Sequence, residues 1–156
     1  MRIEFANELL KYAKKDKDIV VVSFDLGYKM WEGFMELGQF YNVGASEQAG
    51  TGVAVGLALS GKKVFCYSMT NFLVYRPFEF VRFYINNENI PIKLIASGRG
   101  TEYSELGFSH CCEDAKEVLK IFKNIKTSWP DNLEEIPILV KEMINDNNPW
   151  YLSLRR

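Results

Sequence analysis

Residues 40–60 read FYNVGASEQAGTGVAVGLALS, and this stretch decides what kind of fold the chain can adopt. Its second half, Ser46–Leu59, is rich in small apolar residues, which predicts a packed helix. A Gly inside a helix destabilises it by roughly 1 kcal/mol relative to Ala. The predicted helix nevertheless contains three glycines, Gly50, Gly52 and Gly56. We therefore expect that they allow another backbone to approach the helix closely. Glu47 is the only charged residue in the stretch, and it lies at the N-terminus of the predicted helix.

Four short runs rich in β-branched or aromatic residues lie before and after this helix in the sequence: Ile19–Phe24, Val64–Ser68, Ile92–Ala96 and Trp150–Leu154. Such runs are typical of strands that are covered on both faces. Helical patterns lie around them, at Glu4–Lys14, Ser46–Leu59, Arg76–Asn86, Asp114–Phe122 and Leu133–Ile144. Alternating strands and helices predict a doubly wound α/β fold, with a mostly parallel sheet and helices on both faces. Ligands of such sheets bind outside the carboxyl ends of the strands.

The last helix carries a start signal. Asp131 is predicted to be its N-cap, with Glu134 as the return arm of a capping box.

Composition narrows the function classes. The chain has 156 residues, 47% hydrophobic and 25% charged, which is typical of one soluble globular domain. A net charge of -1 gives no electrostatic reason to expect nucleic acid or a membrane as partner. The cysteines, Cys66, Cys111 and Cys112, lack CxxC spacing, and there is one histidine. We therefore expect reduced thiols, a cytoplasmic protein and no structural metal site.

An apolar stripe follows the second predicted strand. Met69, Phe72 and Tyr75 are spaced by three residues, so on a helical turn they would share one face. Core packing is the usual role of such a stripe, and a flat slot for an aromatic ring is the functional alternative. The glycines at 50, 52 and 56 depart from the dinucleotide-binding spacing and lie inside a helix, which favours helix packing over nucleotide binding.

Two ionisable residues stand out as candidates for chemistry. His110 lies in a polar, Gly-containing loop beyond a strand end, where it could act as an acid or base or serve a structural role. Glu47 could merely complement the helix dipole. Its position in a nearly uncharged stretch favours a functional role.

Together these features resemble the pyrimidine-binding domain of the transketolase family of thiamine diphosphate enzymes. The resemblance covers essentially the whole chain and lies in six segments in the family's order: Phe24–Gly27, Phe40–Ala58, Arg76–Arg82, Gly107–Asp114, Trp129–Glu134 and Pro149–Arg156. It implies a thiamine diphosphate-binding fold of the pyrimidine type.

The resemblance also implies site residues. Glu47 would be catalytic by hydrogen-bonding the pyrimidine ring nitrogen of thiamine diphosphate, with Met69, Phe72 and Tyr75 around the ring. His110 would contact the substrate and transfer protons, and Asp25 would lie near the cofactor. The family's phosphate-binding histidine has no visible counterpart, so Lys29, Arg76 and Arg99 are candidate substrate-binding cations. Met69 replaces a family aromatic, and Leu106 replaces an acid that holds a sugar hydroxyl.

The family motif Gly-Asp-Gly…Asn, which holds Mg²⁺ and the diphosphate, has no match in residues 1–156. We therefore expect one pyrimidine-binding domain here, without the diphosphate-binding and third domains. A separate diphosphate-binding subunit would hold most of the Mg²⁺ site in a hetero-oligomer. The complex would cleave or transfer a carbon-carbon bond of a ketose or 2-oxo substrate in carbohydrate metabolism, as a transferase or lyase.

Two alternative functions belong to other functional classes than an enzyme subunit. The first is a non-catalytic regulatory or interaction protein that kept the fold. The second is a flavodoxin-like binding module unrelated to thiamine, which would leave the Glu47-Gln48 pair unexplained.

Overall fold

The computed structural model describes residues 1–27 and 29–156 and contains a six-stranded parallel sheet. The strands are β1 Ile19–Ser23, β2 Phe40–Asn42, β3 Lys63–Ser68, β4 Lys93–Ser97, β5 Lys126–Ser128 and β6 Trp150–Leu154. Their order across the sheet is β2-β1-β3-β4-β6-β5. The prediction of a doubly wound α/β fold is confirmed.

The α-helices are α1 Arg2–Ala13, α2 Glu32–Glu36, α3 Glu47–Leu59, α4 Phe78–Phe80, α5 Ala115–Leu119 and α6 Glu135–Asn145. The helix predicted at residues 76–86 is interrupted, because π-helical turns at Asn71–Tyr75 and Val81–Asn87 flank α4. In these turns the hydrogen bonds reach five residues back, from the Arg76 N–H to the Asn71 carbonyl and from the Glu88 N–H to the Phe83 carbonyl (both 3.0 Å).

The sheet separates two apolar cores. Val20 and Val22 face one core, which contains residues of α3 and of both π-helical turns. Ile19 and Val21 face the other core, which contains residues of α1 and α6. This alternation follows from the two-residue period of a strand. Because both faces are covered, all five residues of β1 are buried.

Neither edge strand is among the four strand runs identified in the sequence. β2 and β5 have three residues each, and all six residues are exposed or half-buried. They therefore lack the continuous apolar run that identified the central strands.

The predicted capping box is wrong by one residue. Glu134 occupies the N-cap position of α6 without a side-chain capping bond. The return arm is Glu135, whose Oε1 accepts hydrogen bonds from the backbone N–H groups of Asp131 (2.9 Å) and Asn132 (2.8 Å). The Asp131 carboxylate instead pairs with arginines, Arg99 and Arg155.

The strand order changes direction beside β1, which pairs with β2 on one side and β3 on the other. In parallel sheets such a switch point opens a crevice at the carboxyl ends of the strands. α3 begins after β2, so its N-terminus lies at this edge of the sheet. No helix in the part of the chain that the structure describes is long and apolar enough to cross a bilayer.

Candidate functional site

Glu47 is a buried carboxylate in the first turn of α3, with 6% of its surface exposed. Burial of an isolated charge is unfavourable in free energy, and Arg76 supplies the opposite charge. Its Nη1 lies 2.5 Å from Glu47 Oε1. About half of the Arg76 side chain is exposed, so the pair lies at the surface end of the site.

Phe72 connects this ion pair with the histidine loop. The Cζ atom of Arg76 lies 4.1 Å from the Phe72 ring centroid. The His110 ring meets the same phenyl ring edge to face, with centroids 5.3 Å apart and an interplanar angle of 85°. The structure therefore brings four of the predicted residues, Glu47, Phe72, Arg76 and His110, into one continuous set of contacts.

The two other members of the apolar stripe have different surroundings. Met69 is buried, with 4% of its surface exposed. Tyr75 is half-buried against the core, and its hydroxyl donates a 2.7 Å hydrogen bond to Asp114 Oδ1. Burial and the adjacent Asp114 carboxylate raise the pKa of Tyr75 above its ordinary range. Among the ring contacts of the described residues, Phe72 is the one member of the stripe that meets both Arg76 and His110.

The His110 loop is built from short turns. Gly107 has a φ of 92°, a left-handed conformation that favours glycine, and a 3₁₀ turn at Phe108–His110 follows it. His110 Nδ1 lies 3.0 Å from Ser109 Oγ. The side chain of Asn71 donates from Nδ2 to the Cys111 carbonyl at 2.7 Å. Asn71 was not among the predicted site residues, because a single Asn after a strand carries no spacing signal.

Asp25 and Lys29 lie in another part of the switch point. Both line a groove of about 370 Å³ together with residues of α2 and β2. Asp25 has a φ of 51°, and its N–H donates to Asn42 Oδ1 at 3.2 Å. The groove opens at the carboxyl ends of β1 and β2, on the side of β1 away from β3.

Arg99 anchors the far half of the sheet. Its guanidinium donates to the Ser153 carbonyl and to the Pro130 carbonyl at 2.5 Å each, and it pairs with Asp131 at 3.0 Å. Only 13% of its side chain is exposed. These contacts place Arg99 in one wall of a 450 Å³ cleft beside Trp129, in surroundings different from those of Glu47 and Phe72.

No cluster of three or more His, Cys, Asp or Glu side chains that could hold a metal ion occurs within residues 1–27 and 29–156. The three cysteines are free thiols. Burial raises the pKa of the Cys66 thiol far above its ordinary value, which makes this thiol a poor nucleophile.

Comparison with known proteins adds the family context. The family model described as "Transketolase, pyrimidine binding domain" matches residues 1–156. One of the subunits of the apulose-4-phosphate transketolase from Phocaeicola vulgatus is 31% identical over 163 residues, covering 99% of this chain and 51% of that protein. A putative transketolase C-terminal section from Methanocaldococcus jannaschii is 28% identical over 162 residues, covering 100% of this chain and 50% of that protein. The chain thus spans about half the length of these relatives.

Solved structures agree on the fold. A split-gene transketolase, solved as an inactive beta4 tetramer, superposes with a TM-score of 0.84 at 25% identity, over 98% of this chain and 50% of that chain. The transketolase of Campylobacter jejuni gives a TM-score of 0.85 at 19% identity, over 97% of this chain and 25% of that chain. The second comparison concerns the fold alone.

Proposed function

Because this chain belongs to the pyrimidine-binding domain family of transketolases, we propose that it is the pyrimidine-binding subunit of a split, thiamine diphosphate-dependent, transketolase-like enzyme. It would form the active site with a separate diphosphate-binding subunit. The complex would cleave or transfer a carbon-carbon bond of a ketose or 2-oxo substrate. The observation that carries the proposal is the buried Glu47 carboxylate beside Phe72 at the switch point of the sheet.

The guanidinium of Arg76 lies beside Glu47 and Phe72, and its chemistry indicates what kind of group this place accepts. The guanidinium of Arg76 is planar, cationic and rich in N–H donors. It pairs with Glu47 and covers the face of Phe72. A site that accepts such a group between a carboxylate and a phenyl ring suits an aminopyrimidine, which is also flat and nitrogen-bearing. We infer that the cofactor ring would take the place of the guanidinium.

The residues of this chain would then have distinct roles. Glu47 would share a proton with a pyrimidine ring nitrogen, because that nitrogen can donate a hydrogen bond to the carboxylate only when it is protonated. Phe72 would contact the ring face, with Met69 and Tyr75 supporting the turn. Bound thiamine diphosphate supplies the electron sink for carbon-carbon bond cleavage. His110 has its Nδ1 beside Ser109 Oγ at 3.0 Å, so Nε2 is the atom that would hold or move a proton at the substrate.

Three cations, Asp25 and the metal complete the proposed site. Arg76, once displaced from Glu47, and Lys29 are the candidate contacts for an anionic substrate group, and Arg99 is the third. Asp25, in the groove with Lys29, would lie at the edge of the cofactor site. Mg²⁺ and the diphosphate would be held mainly by the partner subunit.

An exposed apolar surface supports the need for a partner. Val53 and Leu59 of α3 are 46% and 71% exposed, and Phe83 and Tyr84 of the second π-helical turn are 53% and 40% exposed. A Cβ added at Gly56 would meet open space, so another backbone could approach α3 there. Apolar groups clustered on adjoining elements are typical of interaction surfaces. The inactive beta4 tetramer of the related split-gene transketolase suggests that this chain alone is also inactive.

The proposal is tested by replacing Glu47 in the assembled enzyme. A Glu47→Gln chain mixed with a candidate diphosphate-binding subunit, cofactor and Mg²⁺ should lose turnover by at least about a hundredfold. Glu79→Gln, which changes an exposed acid near the site, should keep wild-type turnover. Full turnover in Glu47→Gln would exclude Glu47 from the mechanism. Cofactor binding without turnover in any variant would favour the non-catalytic alternative, to which the replacement of the family acid by Leu106 also points.

A further inference from the structure

We propose that Asn71 is a positioning residue, which holds His110 against Phe72 through the backbone of the next residue, Cys111. This inference rests on the proposed function, because it deepens the role of His110 in the same site.

The contact joins two segments that follow neighbouring strands. Asn71 opens the π-helical turn after β3, and its Nδ2 donates to the Cys111 carbonyl at 2.7 Å. The next residue, Phe72, meets the ring of His110 with centroids 5.3 Å apart. Two consecutive residues of the turn therefore hold two consecutive residues of the loop.

The loop does not fix its own position relative to this turn. The N–H groups of His110 and Cys111 donate to the carbonyls of Gly107 and Phe108, at 3.0 Å each. These bonds shape the loop but stay within it, and the Phe108 side chain is 91% exposed. Attachment to the turn comes instead from side chains, from Asn71 at Cys111 and from the Tyr75 hydroxyl at Asp114, with Thr70 hydrogen-bonded to the Cys112 thiol between them. The Cys112 N–H also donates to the Gly100 carbonyl at 2.9 Å, which ties the end of the loop to the segment after β4 and not to the turn.

The second polar atom of Asn71 supports this assignment. Its Oδ1 is buried without a hydrogen-bond partner, and such atoms are rare enough in proteins to require an explanation. Reversing the amide would set Oδ1 against the Cys111 carbonyl oxygen, so the orientation is fixed by the donor. An apolar residue would avoid the orphan acceptor. The Nδ2 bond to Cys111 therefore accounts for the orientation of this amide.

Loss of this tether would move the histidine relative to the reacting atoms. A displacement of about 1 Å in a positioned catalytic group can reduce the rate by about a hundredfold. Asn71 touches neither the cofactor nor the substrate in this account, and its effect passes entirely through the His110 loop.

The chain offers a direct readout, because His110 is its only histidine. Its imidazole protons give isolated NMR signals that carry a ring-current shift from Phe72, and a Phe72→Leu chain defines the value without that shift. Asn71→Leu is similar in shape to Asn but lacks the donor, and it should move the His110 signals most of the way to the Phe72→Leu value. Wild-type His110 signals in a folded Asn71→Leu chain would overturn the inference.

A matched control lies elsewhere in the chain. Asn124 Nδ2 donates to the Asn86 carbonyl at 2.8 Å, across 38 residues, as Asn71 does across 40. Asn124→Leu should leave the His110 signals unchanged. If Asn71→Leu does not fold, Asn71→Gln and Asn71→Met replace it, since they match in length and only Gln keeps the donor. Signals closer to wild type in the Gln variant support the inference, and equal signals in both overturn it.

Turnover of the assembled complex separates this inference from the proposed function. Asn71→Leu should lower kcat by roughly 10- to 100-fold with little change in the KM for the cofactor, in parallel with His110→Asn. If His110→Asn loses turnover and Asn71→Leu does not, the positioning role fails alone. If His110→Asn keeps full turnover, the catalytic role of His110 fails, and the NMR comparison still decides whether Asn71 fixes the loop.

Discussion

Arg76 Nη1 lies 2.5 Å from Glu47 Oε1, so the buried carboxylate of the candidate site is paired within its own chain. Arg76→Met should remove this partner and destabilise the chain by about 1–3 kcal/mol, less than for a fully buried pair because half of the Arg76 side chain is exposed. Urea unfolding at pH 7 measures the change. Arg82→Met, at an exposed arginine of the next helical segment, should stay within about 0.5 kcal/mol of wild type. Equal midpoints for the two variants would contradict a structural role for the pair.

Two glycines of α3, Gly50 and Gly56, should respond in opposite directions to the same substitution. A Cβ at Gly50 would lie 2.5 Å from Val43 Cγ2 and 2.7 Å from Phe24 Cε1, so Gly50→Ala should destabilise by about 1–3 kcal/mol through overpacking. A Cβ at Gly56 meets open space, so Gly56→Ala should stabilise the isolated chain by up to about 1 kcal/mol through helix propensity. Thermal unfolding distinguishes them. A Gly56→Ala chain less stable than wild type would show that α3 is covered at this point.

Lys93 should make stability depend on pH in the alkaline range. Its Nζ donates to the carbonyls of Asp146 and Asn148 at the end of α6, and burial lowers its pKa from 10.5 to about 8. Between pH 8 and pH 10.5 the unfolded chain binds more protons at Lys93 than the folded chain does, so the free energy of unfolding rises with pH. From pH 7 to 10 the wild type should gain about 2–3 kcal/mol relative to Lys93→Met.

The comparison with Lys93→Met cancels other groups that titrate in this range. Urea unfolding of both chains at several pH values provides the difference. A constant difference between pH 7 and 10 would mean that Lys93 is not desolvated in the folded state.

Arg99 should behave as a structural anchor. Its guanidinium reaches the carbonyls of Pro130 and Ser153 and the carboxylate of Asp131, a geometry that a lysine ammonium cannot reproduce. Arg99→Lys should therefore lower the free energy of unfolding by about 1–3 kcal/mol. A stability equal to wild type, combined with a raised KM for substrate in the complex, would instead favour the substrate-binding role predicted from the sequence.

Much of the fold could be predicted because the residue pattern within each segment indicates a strand or a helix. The central strands β1, β3, β4 and β6 are largely apolar runs, since each is buried on both faces over most of its length. β2 and β5 are missing from the strand runs identified in the sequence because they are short edge strands with exposed residues. The broken helix around α4 escaped because π-helical turns change the hydrogen-bonding register without changing the residue types.

The site was predictable residue by residue but not in its contacts. Glu47 and His110 stand out by their isolation in the sequence. The pairing of Arg76 with Glu47 crosses 29 residues, and that of Asn71 with Cys111 crosses 40. Such contacts depend on which strands are neighbours in the sheet, and neither spacing nor composition records that order.

The central claim is that this chain supplies half of a thiamine diphosphate site. It is tested most directly by calorimetric titration of thiamine diphosphate with Mg²⁺ into the chain alone and into its mixture with a candidate diphosphate-binding subunit. We predict saturable binding in the mixture, little or none with the chain alone, and weaker binding when the mixture contains Glu47→Gln. A mixture that forms a stable complex and yet binds no cofactor, or binds it equally well with Glu47→Gln, would contradict the account.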